Sequence, residues 1–301
     1  GAIFTESKLM DYDQMLPKLV DKGLDCIEFH AISDDEFDYE GIRAAINEKT
    51  KLVTIQRSKG YAWRDTYSVD AIGEIIKFVK SIRNDIICIV DNCYGEFVET
   101  KEPAALGADL IVGSLIKNPG GGLAHSGGYI VGTKEAVEMV SYRLTCPGIG
   151  RECGATLGNN RLMYQGFFMA PQVVCNAVKT GIFCSALFEE LGYEVNPASS
   201  AFRSDIITSV KLGSPEKLVE FCKGIQAGAP IDSFVVPAPW DMPGYDDKVI
   251  MAAGAFVSGS SIEISADGPL KEPYTAYFQG GLTFETGKLA VMLAASNVMK
   301  I

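Results

Sequence analysis

Hydrophobic positions along the chain come in two spacings. Short apolar runs bounded by polar or glycine residues read as buried strands, and apolar residues three and four apart read as helices. Residues 16–21 read as helical and 25–29 as a strand. Residues 39–48 read as a helix with Ile42, Ala45 and Ile46 on one face, and 51–56 as a strand running into Arg57 and Ser58. Residues 69–83 carry an amphipathic helical pattern, with Ile72, Ile75, Ile76 and Val79 at helical spacing. Apolar runs at 86–90, 108–116 and 128–132 read as further strands. Strands alternating with helices predict an α/β fold, a mostly parallel sheet flanked by helices.

From residue 160 to 191 the texture changes to Ala, Leu, Phe and Met without strand signals. This predicts one or two connecting helices, the second starting at Pro171, where proline is tolerated, and stopping at Gly192. Beyond it, 204–210 reads as a strand, 215–226 as a helix, 251–257 with 261–265 as a hairpin-like pair, and the end from about 285 as a helix. The expected organisation is a large α/β domain over 1–159, connecting helices over 160–192, and a smaller α+β domain over 193–301.

Composition narrows the function. The chain has 301 residues, 47% hydrophobic, with net charge −11. That charge excludes the basic patch of a nucleic-acid binder. No uninterrupted apolar run reaches the ~20 residues of a membrane span, and the first residues lack the order of a signal peptide. Eight cysteines form no C-x-x-C pair, and only two histidines are present, so a disulfide framework and a histidine-rich metal site are both disfavoured. These features predict a cytoplasmic protein with no resident metal.

The chemistry concentrates at two strand ends. The run 86–90 ends in Asp91, and the run 108–116 ends in Lys117, followed by Gly120, Gly121 and Gly122. Ligands in open α/β sheets bind outside the carboxyl ends of the strands. A lysine and an aspartate there suit pyridoxal phosphate, the lysine as its imine partner and the aspartate on the pyridinium nitrogen. Partial burial beside positive charge would lower the lysine pKa from its ordinary ~10.4. Ser114, three before the lysine, suits the cofactor phosphate, and the glycines would let the backbone approach the ligand. Tyr94 either hydrogen-bonds the cofactor's phenolic oxygen or packs over the sheet edge. Arg57 either pairs with cofactor or substrate or forms an ordinary salt bridge. The Tyr274, Tyr277 and Phe278 cluster reads as a subunit interface rather than a substrate entrance, and Asp241, Asp246 and Asp247 as a solvated loop.

These segments resemble a known family. Residues 90–99 (VDNCYGEFVE), 113–124 (GSLIKNPGGGLA), 55–58 (IQRS), 241–254 (DMPGYDDKVIMAAG) and 263–269 (EISADGP) are similar to the fold-type I pyridoxal-phosphate proteins described as methionine gamma-lyase-like or aluminium-resistance proteins. The resemblance covers nearly the whole chain. It implies a pyridoxal-phosphate homodimer or homotetramer, with Lys117 as the aldimine lysine, Asp91 as the pyridinium partner and Ser114 on the phosphate. It implies a carbon–sulfur lyase that acts on a cystathionine- or methionine-type amino acid through an external aldimine and α-proton abstraction by Lys117. It also points to Arg203 as the fork for the substrate carboxylate. An aminotransferase, or a non-catalytic protein of metal tolerance on the same fold, are the alternatives. Family members are longer at the N-terminus, where such enzymes carry a phosphate-cradling helix start; no S-G-x-x-A-like segment precedes Asp25.

Overall fold

The computed structural model describes residues 31–33, 36–144 and 158–301, together with Ile149 and Glu152. The helix expected at 16–21 and the strand at 25–29 lie outside the described residues.

A small hairpin, β1 (Ala31–Ser33) with β2 (Glu36–Phe37), leads into α1 (Tyr39–Ala45). There follow β3 (Leu52–Gln56), α2 (Val69–Ile82), β4 (Ile87–Asp91), β5 (Leu110–Ser114), β6 (Gly128–Gly132) and α3 (Lys134–Leu144). Strands β3 to β6 form one sheet in chain order; the first three are parallel and β6 runs antiparallel. Gln56 pairs with Asp91, and Asp91 with Val112, so the three parallel strands end at a common edge. Helix α2 starts where the Ser68 hydroxyl accepts the Ala71 N–H at 3.1 Å. Its apolar stripe of Ile72, Ile75, Ile76 and Val79 packs with Ile55, Cys88, Val90 and Ile111. Each such fully buried aliphatic side chain contributes roughly 1.5–3 kcal/mol, which fixes the sheet edge rigidly in place.

The stretch after residue 159 is one helix, α4 (Asn160–Glu190), and Pro171 lies inside it rather than starting a second. An interior proline removes one donor and crowds the carbonyl four residues back. That residue, Phe167, is exposed, so water can serve its carbonyl. By length and composition α4 could cross a membrane. In this fold it is a core helix, with Val173, Val174 and Ala177 in one buried cluster and Cys184 and Phe188 in another.

The remaining strands form a second, wholly antiparallel sheet: β7 (Val195–Asn196), β8 (Thr208–Lys211), β9 (Val249–Ala252), β10 (Ser265–Pro269) and β11 (Thr275–Gln279), in the order β7-β8-β11-β10-β9. Helices α5 (Pro215–Ala227) and α6 (Phe284–Val298) cover it, crossing where a Cβ on Gly224 would meet the Ala294 Cα at 2.3 Å. Three expectations change here. The strand read at 204–210 begins only at Thr208. The second hairpin strand begins at Ser265, because the preceding turn is tied down by Glu263, whose carboxylate accepts the Phe256 and Val257 N–H groups at 2.6 and 3.1 Å. Tyr277 and Phe278 are buried in β11 rather than at a surface interface. All five residues of β11 are buried, so it shows none of the alternation by which a half-exposed strand is recognised.

Candidate active site

Strand β5 ends at Ser114, three residues short of Lys117. The chain then turns, with the Lys117 N–H on the Ser114 carbonyl at 3.4 Å and the Ile116 N–H on the Ser114 hydroxyl at 3.3 Å. Lys117 stands at the start of a short 3-10 turn, Asn118–Gly120, and is only 5% exposed. The glycines that follow admit protein rather than ligand. A Cβ on Gly121, which has φ +54°, would meet the Gly166 carbonyl of α4 at 2.4 Å. They let α4 lie directly on the lysine turn.

The loop leaving β4 closes over Lys117. Its Nζ lies 4.2 Å from the Tyr94 ring centroid, close enough for a cation–π attraction. Tyr94 and Phe97 both sit at positive φ, +73° and +63°, conformations that cost about 1–3 kcal/mol each in non-glycine residues. The surrounding bonds hold them there. The Asn118 amide donates to the carbonyls of Tyr94 and Glu96 at 3.0 and 3.1 Å, and the Ile206 N–H donates to the Tyr94 carbonyl at 3.2 Å. The residue after the lysine thereby ties the lysine turn to the aspartate loop. Asp91 is half-buried at the end of β4, and its carboxylate accepts the Cys93 N–H at 3.1 Å.

Beneath this loop runs a buried polar chain. Arg57, fully buried, pairs with Glu99 at 2.9 Å and Glu102 at 3.3 Å, and donates to Asn92 at 2.8 Å. Asn92 donates to Glu102 at 2.9 Å and to the Tyr129 hydroxyl at 3.3 Å, and Tyr129 donates to Glu96 at 2.8 Å. Arg57 is thus taken up by ion pairs that brace the loop, the plainer of its two expected roles.

Electrostatics follow from this packing. Burial pulls the Lys117 ammonium down, but Tyr94, Cys93 and Asp91 outweigh it and hold its pKa above the ordinary value. The sequence reading expected the opposite; it assumed a neighbouring cation, whereas the groups facing the lysine are a phenol, a thiol and a carboxylate. Burial raises the Tyr94 phenol and the Cys93 thiol. Burial also pushes the Glu96 carboxyl up to about 8. Asp267 of β10 is pushed up to about 6 by burial, against the Tyr61 hydrogen bond and the Lys117 charge.

Tyr61 donates its hydroxyl to Asp267, and Tyr277 donates to the Tyr61 carbonyl, joining the second sheet to the edge of the first. Sequence reasoning missed Glu96, Tyr129, Tyr61 and Asp267 as members of the site. The only available signal for Asp267 was an acid inside a strand-like segment. Arg203 is placed elsewhere: its guanidinium donates to Ser185 at 2.7 Å, Thr208 at 3.0 Å and the Gly181 carbonyl at 3.2 Å. No described contact joins it to Lys117, Asp91 or Tyr94.

The family model described as methionine gamma-lyase matches residues 12–299. The chain belongs to the methionine gamma-lyase family. Among its relatives, the uncharacterized protein YnbB of Bacillus subtilis is 53% identical over 267 residues, 89% of this chain and 63% of that protein. The chain therefore spans under two thirds of that relative's length. A solved structure named as a carbon-sulfur lyase involved in aluminum resistance, from Clostridium novyi NT, is 51% identical with TM-score 0.87, over 97% of this chain and 67% of that one. A Listeria monocytogenes structure named as a candidate cystathionine beta-lyase involved in aluminum resistance is 48% identical with TM-score 0.90, over 93% of this chain and 69% of that one. The pyridoxal-5'-phosphate dependent protein YhfS of Escherichia coli, 13% identical over 97% of this chain and 73% of that one, has TM-score 0.59 and shares the fold. The expected α/β architecture of fold type I is the one observed.

Proposed function

We propose that this protein is a pyridoxal-phosphate-dependent carbon–sulfur lyase acting on a sulfur-containing amino acid of the cystathionine or methionine type. The observation that carries the reading is Lys117: a lysine 5% exposed, without an ion pair among the described residues, at the same sheet edge as the end of the Asp91 strand. A buried amine that makes no ion pair among the described residues, one strand from a half-buried carboxylate, fits the pyridine aldehyde chemically. The lyase names of the Clostridium and Listeria relatives support the choice of carbon–sulfur bond.

When bound, pyridoxal phosphate supplies the electron sink for a carbanion at the substrate α-carbon. The Lys117 Nζ, held protonated in the free site, must release its proton to act as a nucleophile, and then serves as the base for the α-proton. Asp91 would hold a proton on the ring nitrogen. Ser114, whose hydroxyl proton has no described acceptor, would donate to a phosphate oxygen. Tyr94 covers the amine and excludes water from it. An absorbance spectrum with added pyridoxal phosphate tests this. The wild type should gain a visible band and release a keto acid from cystathionine or methionine, and a wild type without a band would end the reading.

The protein is also inferred to work as a homodimer or homotetramer in the cytoplasm. Tyr164, Phe167 and Phe168 on α4 are exposed and apolar, and the described cysteines are free thiols. Light scattering reads the first of these directly.

A further inference from the structure

A cavity of about 220 Å³ lies where β3 leads into α2. Phe37, Tyr67 and Pro197 give it apolar walls, and Lys59, Asp65 and Asp205 bring charge to it. Asp65 and Phe202, the latter 76% exposed, line it where it meets solvent.

Lys59 is hidden there, 3% exposed and in no ion pair among the described residues. Its ammonium donates to Asn196, to the carbonyl at 3.2 Å and to the side-chain oxygen. Arg203 faces it as a like charge. The terminal N–H groups of Arg203 are already taken by Ser185, Thr208 and the Gly181, Ile207 and Pro197 carbonyls. A buried cation is costly unless paired. The neutral amine costs less, and beside an open space it is a nucleophile. Burial pulls Lys59 down to about 8; Asp205 and Asp65 hold it up only in part, and Arg203 and Arg64 lower it further. At pH 7.5 roughly a quarter of such amines are neutral, against about 0.1% of ordinary lysines.

We infer that Lys59 is a second imine-forming amine, and that its cavity takes small, uncharged, apolar aldehydes. The amine nitrogen bonds to the carbonyl carbon, and one of its protons ends on the carbonyl oxygen. The carbinolamine then loses that oxygen as water with the second amine proton, leaving a C=N bond. Amine and aldehyde give imine and water, and no oxidant or reductant takes part. An imine nitrogen is less basic than an amine, so the product sheds the buried charge that the ammonium carries, and burial favours it.

The walls select the aldehyde. Their apolar side chains favour an apolar body, and Asp65 and Asp205 repel one that carries a carboxylate or a phosphate. This sets the cavity apart from the Lys117 site, whose proposed cofactor is phosphorylated. The inference needs neither that cofactor nor the lyase reaction, and its test can fail independently of them.

The test uses the wild-type protein, saturated with pyridoxal phosphate and treated with borohydride to fix any imine at Lys117. Freed of excess reagent, it is incubated at pH 7.5 with benzaldehyde and cyanoborohydride, and peptide masses follow the benzyl group gained at each lysine. Lys59 should be labelled at least about tenfold faster than an ordinary lysine, for which the exposed Lys77 and Lys134 serve as references. Glyoxylate, an aldehyde that carries a carboxylate, should show no preference for Lys59. Lys59→Arg keeps the positive charge without the nucleophile and should lose this label and no other. Lys117 is scored in the same map, so a protein that takes up no pyridoxal phosphate is told apart from one whose Lys59 is inert. Labelling of Lys59 no faster than of Lys77 and Lys134, or an equal preference for it by glyoxylate, would overturn the inference.

Discussion

Lys117 and Lys59 are almost equally hidden, at 5% and 3% exposure, and neither is ion-paired among the described residues. Their proton affinities nevertheless move apart. Burial pulls both down. At Lys117 the facing Tyr94, Cys93 and Asp91 reverse the effect and the pKa rises. At Lys59 the distant Asp205 and Asp65 do not, Arg203 and Arg64 add to it, and the value falls to about 8. Burial therefore does not decide what a hidden lysine can do; the groups that line its space do. Lys117 is surrounded by groups that hold a proton in place until chemistry removes it. Around Lys59 the negative charge of Asp205 and Asp65 is too little to offset its burial.

The largest effect expected from breaking this contrast is at Lys117. Lys117→Ala should remove both the pyridoxal-phosphate absorbance band and keto-acid release entirely. A variant that keeps either one shows that the amine beside Tyr94 is not the reacting lysine.

The next largest lies beneath the same loop. Glu96 has a folded pKa of about 8, against ~4.3 for an unfolded glutamate. The folded state therefore binds the extra proton between these values. Its stabilising contribution is complete below about pH 4.3 and is lost as pH rises toward 8, with a slope of at most about 1.4 kcal/mol per pH unit. Glu96→Gln keeps an acceptor for Tyr129 and removes the titration. Urea unfolding at several pH values from 5 to 8 should show the wild type losing stability relative to the variant. Parallel curves would mean that Glu96 is ionised in the fold and that the loop tolerates its charge.

Lys59 gives the opposite sign in a different window. Its folded pKa of about 8 lies below the unfolded ~10.4, so protonated Lys59 opposes folding, and that opposition is relieved as pH rises from 8 to about 10.4. Lys59→Met should stabilise the protein by roughly 1–3 kcal/mol at pH 7, less what is lost at Asn196. The gain should vanish near pH 10.5. A gain independent of pH would mean that packing, not charge, limits the wild type.

How far the sequence foretold this contrast differs between its two halves. Asp91 and Lys117 were legible because each ends an apolar run, and strand ends on a parallel sheet are where ligands bind. The helix α2 and strands β3 to β6 were legible from periodicity. Strand β11 was not, because all of its residues are buried and none alternates. For 160–191 the pattern left one or two helices open, because proline usually marks a break; the single helix α4 is the first of those readings, with Pro171 inside it. The roles of Glu96, Asp267 and Lys59 were invisible for a common reason. A charged residue in a loop or strand reads as solvated, and only the fold, through Tyr129, Tyr61 and Asn196, shows that it is buried.

The smallest expected effect concerns the outer face of α4. The same helix presses Gly166 onto the lysine turn and turns Phe168 outward, 85% exposed. With no described packing to lose, Phe168→Ser should change the stability of the isolated subunit by no more than about 0.5 kcal/mol. Its effect on assembly should be larger, because an apolar side chain exposed on one subunit is buried when two copies meet through this face. Light scattering should then show the wild type as an oligomer and Phe168→Ser shifted toward the monomer, with an unchanged thermal midpoint at low concentration. If the variant keeps the wild-type mass, the copies meet elsewhere, and the close approach of α4 to the lysine turn owes nothing to a neighbouring subunit.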